Sequence, residues 1–135
     1  AALRATPADL IAACMRLKPD RVLLAELRGS EAWDFLKLMT SGHAGSITSF
    51  HAKSCAVAAD RWAFMCKEHR DAGSIKAQEI KELVATTVDV IVHITLKKNH
   101  DANGNVIGAE RFVTEVLFDP AAVIAKAVGQ GVLHA

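Results

Sequence analysis

No apolar run in this chain reaches the roughly 20 residues needed to cross a bilayer, and its start lacks the basic-then-apolar order of a signal peptide. A soluble, cytoplasmic protein is the expectation. An excess of charge of one sign is missing as well: charged residues make up 23% and the formal net charge is +1, so no global field draws nucleic acid or an anionic membrane. Direct nucleic-acid binding is not expected. Cys14, Cys55 and Cys66 are odd in number and form no Cys-x-x-Cys pair, which excludes a disulfide framework and favours free thiols in a reducing compartment. His69, His93 and His100 lack the spacing of zinc ligands, and there are no internal repeats or low-complexity stretches. What is present is 135 residues, 51% of them hydrophobic, enough for one sizeable core and one compact unit. The opening Ala1-Ala2-Leu3-Arg4-Ala5, without Met, predicts a piece of a longer protein.

Thr6-Pro7-Ala8-Asp9 combines a cap, a proline at the first helical position and an acid in the first turn, and Leu10, Ile11, Cys14 and Leu17 then share one helical face. Pro19 disfavours helix before it, and residues 22–25 form a short apolar run suited to a strand buried on both faces. Ser30 is placed to cap a second helix with Glu31 and Asp34 near its start and Trp33, Leu36 and Met39 on its packing face. Residues 45–51 favour a second strand, after which Ser54 caps a long helix carrying Val57, Trp62, Met65 and Cys66. Residues 75–87 form another helix, with Ile80, Leu83, Val84 and Val88 on its buried side. Residues 89–97 and 111–118 read as a hairpin across the polar turn at 99–105, with Phe112, Thr114, Val116 and Phe118 on one face. The fold class is α/β: parallel strands with flanking helices, then a C-terminal antiparallel hairpin. Residues 121–135 are expected to be a tail or short helix.

In open α/β sheets ligands sit beyond the carboxyl ends of the strands. Glu26 ends the first strand and His51 the second, so a carboxylate and an imidazole converge on one crevice if the strands are neighbours. Taken by itself, a Glu in this position is more often a solvated strand end or an ion-pair partner of a residue such as Arg28, and a lone His is more often structural.

Two motifs change that balance. Arg16-Leu17-Lys18-Pro19-Asp20-Arg21 leads into an apolar run ending Glu26-Leu27-Arg28-Gly29, and Gly42-His43-Ala44-Gly45-Ser46-Ile47-Thr48-Ser49-Phe50-His51-Ala52 follows at a fixed separation. Over roughly residues 3 to 119 the chain resembles the secretion ATPase superfamily that powers type II secretion, type IV secretion and type IV pili, and most of all its type IV secretion branch. The first motif is similar to that family's Walker B segment and the second to its histidine box. The resemblance implies that residues 1–120 are the C-terminal portion of a RecA-like P-loop NTPase domain. It implies Glu26 as the catalytic acid, polarising water or reaching Mg2+ through water with no direct metal ligand. His51 is implied near the terminal phosphate of ATP, with Arg28, Thr48 and Ser46 in nucleotide binding or sensing. Ala25 stands where a Walker B strand usually carries Asp, which weakens any direct magnesium contact.

Residues 45–51, if extended, span on the order of 20 Å, which puts His43 at the other end of the strand from His51. His43, Gly42 and Gly45 are therefore expected to be structural or interfacial. No glycine-rich turn ending Gly-Lys-Ser/Thr is present; the sole Lys-Ser pair, Lys53-Ser54, follows Ala52. In the resembled family that loop lies upstream. The implied parent is a cytoplasmic hexameric ATPase, peripheral at the inner membrane, driving type IV secretion or conjugation with other secretion components, and this piece alone is expected to be inactive. The alternatives are a type IV pilus or type II secretion motor, and a non-catalytic ATPase-like scaffold.

Overall fold

The structure, a computed structural model, describes residues 4–43 and 45–119. The tail expected at 121–135 lies outside the described residues. Where composition predicts one compact unit, the chain divides into two: Ala1–Ala52 with Val57–Thr87, and Lys53–Ala56 with Val88–Ala135.

The first unit is helical around a short parallel strand pair. Helix α1, Pro7–Arg16, starts on a capping box in which the Thr6 hydroxyl accepts from the Asp9 amide and the Asp9 carboxylate accepts from Thr6. The Thr6 hydroxyl, donating to Asp9 Oδ2 at 2.7 Å, and then the Thr6 amide hold the Asp9 carboxyl below its usual range. Only Ile11 of the four expected apolar positions is buried; Leu10 and Leu17 are exposed. Strand β1, Leu23–Leu24, runs into helix α2, Glu31–Thr40, and then strand β2, Ile47–Thr48, a β-α-β unit in which β1 and β2 pair in parallel with Leu23 opposite Ile47 and Leu24 opposite Thr48. Both strands are shorter than the apolar runs that predict them. Backbone pairing continues past them through Leu27 N–H donating to the Ser49 carbonyl at 2.8 Å. Burial on both faces is not observed: Val22 and Leu27 are buried, whereas the paired Leu23 and Ile47 are 73% and 65% exposed.

Ser30 occupies the cap position of α2 but its hydroxyl makes no capping bond. Glu31 does that work by folding back, its Oε1 accepting from the amides of Arg28 (2.6 Å) and Gly29 (3.1 Å). The core lies between α2, helix α3 (Ala58–Cys66) and helix α4 (Ala77–Thr87). Phe35, Leu36 and Leu38 meet the elements carrying Trp62, Met65, Cys66, Ile80 and Val84, all buried. Trp62 stacks near Phe35 (6.3 Å between centroids), takes the edge of Phe50 (5.4 Å), and donates Nε1–H to the Ala32 carbonyl at 3.1 Å. Ser54 does not cap α3, which instead follows a 3-10 turn over Cys55–Val57. Val57, expected on the packing face, is exposed.

The second unit is a long antiparallel hairpin, β3 (Val90–His100) with β4 (Val106–Phe118), both longer than the sequence predicts. Asp101 builds its turn, its carboxylate accepting from the amides of Asn103 and Asn105 and from the Asn105 side chain. A register shift between His93 and Ile94 sets Glu115 opposite His93 and Val113 opposite Ile94, leaving Thr114 as the extra residue. Cross-strand partners share a face. Val116 and Phe118 therefore lie with Val92 and Val90, while Phe112, opposite Thr95, lies on the other face. The single face expected for Phe112, Thr114, Val116 and Phe118 is thus split by the bulge. Thr114 joins His93 (2.8 Å to Nδ1) and Thr95 (3.1 Å) instead.

Candidate functional site

Parallel pairing of β1 with β2 brings the two strand ends together, because a parallel ladder puts both carboxyl termini on one side. Glu26 follows β1 by two residues and His51 follows β2 by three. Their side chains meet: His51 Nε2 lies 3.2 Å from Glu26 Oε1. On the other carboxylate oxygen, Oε2, Arg28 places both Nη2, at 2.7 Å, and Nε, at 3.0 Å. The Arg28 hydrogen bonds are the largest influence holding the Glu26 carboxyl below its usual range, against an opposing desolvation, with the Arg28 charge and then His51 adding to the effect. Arg28 is pushed up in turn by Glu26. The ion pair that a single-residue view favours and the Glu–His convergence that the motif view favours are both present, on different oxygens of one carboxylate.

Ser49, a residue to which the motifs assign no role, ties the strand ends. Ser49 donates its hydroxyl to the Ala25 carbonyl at 2.7 Å, and its own carbonyl receives the Leu27 amide, so the backbone on either side of Glu26 is fastened to the β2 exit.

The remaining predicted residues sit elsewhere. Ser46 precedes β2 and faces the start of β1, its hydroxyl donating to the His43 carbonyl (2.8 Å) and accepting from the Val22 amide (3.0 Å). His43 precedes β2 by several residues, at the amino end, while His51 leaves from the carboxyl end. Gly42 and Gly45 adopt φ of +101° and +77° around it, and a Cβ on Gly45 would stand 2.9 Å from Arg21 Nε. The Thr48 hydroxyl and His43 Nδ1 are enclosed without a hydrogen-bond partner among the described residues. Glu26, Arg28 and His51 therefore form one cluster, and Ser46, His43, Gly42 and Gly45 shape the other end of the strand.

Residues 1–129 match the family of type II/IV secretion system proteins. This chain belongs to that family. Among its relatives, the type IV secretion system protein VirB11 of Brucella suis is 44% identical over 115 residues, covering 85% of this chain and 30% of the relative. The type IV secretion system protein PtlH of Bordetella pertussis is 37% identical over 107 residues, covering 79% and 31%. The crystal structure of the VirB11 ATPase from the Brucella suis type IV secretion system, in complex with sulphate, is similar with a TM-score of 0.73 at 40% identity, over 92% of this chain and 35% of that one. This type II/IV secretion family chain thus spans about a third of the length of the relatives it matches, and those relatives lie on the type IV secretion branch that the sequence resembles. Among its described residues no helix is long and apolar enough to cross a membrane, and no group of three or more His, Cys, Asp or Glu could hold a metal ion.

Proposed function

We propose that this chain is the C-terminal portion, over residues 1–120, of the RecA-like domain of a type IV secretion ATPase, and that Glu26 and His51 form the phosphate-facing edge of its nucleotide site. The observation that carries the reading is the 3.2 Å approach of His51 to Glu26 at the carboxyl ends of two parallel strands, where α/β sheets bind ligands. Glu26, its pKa lowered by Arg28, accepts a hydrogen bond from the attacking water, takes up the water's proton and aims the water oxygen at the terminal phosphate. His51, almost wholly exposed, contacts that phosphate and reports whether ATP or ADP is bound. Thr48 supports the strand behind it, with Ser46 and His43 fixing the loop that enters β2.

The parent's cofactor would be magnesium, which supplies charge neutralisation at the phosphates. The described residues fit one outer position for it: Glu26 through a water. Its direct ligands fall to ATP and to the rest of the full-length protein, as does the phosphate-binding loop, which has no counterpart in this sequence. The 135-residue chain by itself accordingly hydrolyses no ATP. The full-length protein works as a hexameric ring at the cytoplasmic face of the inner membrane, docked on other secretion components; the VirB11 and PtlH relatives, both type IV secretion proteins, support a type IV secretion role over a pilus or type II motor.

The test is steady-state ATP hydrolysis by the full-length protein with and without Glu26→Gln, at matched oligomeric state. Turnover should fall by about 10²-fold or more in the variant, the scale of a lost general base. Retention of wild-type turnover would overturn the assignment of Glu26.

A further inference from the structure

We propose that Arg28 is a positioning residue, which occupies one oxygen of Glu26 so that the other is presented to His51 and the attacking water. The inference rests on the nucleotide-site reading above and goes beyond it, because it gives Arg28 a role exerted through Glu26 and not through the nucleotide.

The geometry is asymmetric. An arginine opposite a carboxylate commonly forms two parallel bonds, one to each oxygen. Here both Nε and Nη2 converge on Oε2, at 3.0 and 2.7 Å, and leave Oε1 to His51. With Oε2 bound twice, rotation of the carboxylate breaks two charge-assisted bonds, so Oε1 keeps its direction. Arg28 is itself anchored: its amide and that of Gly29 are held by Glu31 at the start of α2, and the Leu27 amide by Ser49 at the exit of β2. A chain of fixed points runs from α2 through the Arg28 backbone to its guanidinium, then to Glu26 and His51.

Stability does not explain the pair. The Arg28 side chain is 80% exposed, and exposed ion pairs contribute little to folding. A guanidinium so placed, two residues from the acid it holds, has its use in orientation, and lowers the pKa of that acid as it does so.

The experiment measures kcat and KM for ATP across pH in the full-length protein, comparing wild type, Arg28→Gln and Arg28→Lys, with Glu26→Gln as reference. Arg28→Gln should lower kcat by roughly 10- to 10²-fold, the scale of a misdirected catalytic group, with KM within about twofold of wild type. Its acidic limb should move to higher pH, since Glu26 loses the partner that depresses its pKa, and Arg28→Lys should bring the limb partly back. A KM that rises while kcat holds would overturn the proposal by placing Arg28 on the nucleotide. So would a fallen kcat with an unmoved acidic limb, which is the mark of a merely structural role, or no change in either constant. Full turnover in Glu26→Gln would instead remove the site reading itself, and this inference with it.

Discussion

Trp62 shows how much of the first unit rests on single side chains. Its ring lies between Phe35 and Phe50, and its indole N–H is the buried donor to the Ala32 carbonyl at the first turn of α2. Trp62→Phe would keep most of the apolar contact and remove one buried hydrogen bond, while the Ala32 carbonyl keeps its partner within α2, a loss of about 1 kcal/mol. Phe35→Ala should cost more, about 3–5 kcal/mol, because a wholly buried aromatic leaves a cavity. Urea denaturation of both variants followed by far-ultraviolet circular dichroism would rank the two, and an inverted order would contradict this account of the core. The thiols separate equally well. Burial is the main cause that pushes the Cys66 thiol up to about 12, so it stays protonated and unreactive at neutral pH. Cys14, only half-buried, should react first with a disulfide reagent in the native protein, and Cys66 only on unfolding. At this scale the sequence was legible where chemistry is local. The cap at Thr6, the free thiols and the buried Trp62 all follow from residue type and spacing. Ser49 was not legible as a partner of the Glu26 segment, since its bond to Ala25 depends on which backbone the fold brings alongside, whereas Glu31 bonds the nearby Arg28 and Gly29 amides in place of the Ser30 cap that residue type favours.

Elements were read correctly in kind and order, and less well in extent. Parallel strands that pair with one neighbour only are delimited by their shared ladder, so β1 and β2 end sooner than the apolar runs around Leu24 and Ile47 imply. The hairpin errs the other way, because polar residues such as Lys97 and Glu110, opposite one another, carry the ladder on toward a turn that hydrophobicity alone would have started earlier. Period-two reasoning also has no means of seeing a bulge, which is why Phe112 was assigned to the wrong face. The turn gives a pH test. Asn105 is the leading cause that holds the Asp101 carboxyl below its usual range. A depressed folded pKa means the bonds stabilise the hairpin fully above the unfolded carboxylate value and fail as pH falls through the folded one. Protection of the Asn103 and Asn105 amides, measured as exchange relative to the intrinsic rate at each pH, should therefore fall only at acid pH in the wild type, and be low at neutral pH in Asp101→Ala. Equal protection in the two proteins at neutral pH would show that the carboxylate does not hold the turn.

At the scale of the whole molecule, the two units differ in how their apolar surface is disposed. The first gathers Phe35, Leu36, Met65 and Ile80 into a core, whereas on the hairpin Val90, Val92, Val116 and Phe118 share a face on which each is roughly half exposed. A two-stranded ribbon has no second layer of its own, and exposed strand edges beside such a face invite pairing with another chain. Composition could not foresee this: 51% hydrophobic content predicts one core but says nothing about whether every apolar face finds a cover within the same 135 residues. The isolated chain should therefore sediment as a 14.5 kDa monomer when dilute and as larger species as concentration rises. Replacing the cross-strand pair by Val92→Lys with Val116→Glu keeps opposite charges facing each other in the hairpin, so pairing within the ribbon survives while the apolar face is interrupted. That variant should remain monomeric over a wider range of concentration, with an unchanged far-ultraviolet spectrum. A wild-type chain monomeric at every concentration, or a variant that associates just as strongly, would show that the hairpin face does not drive association.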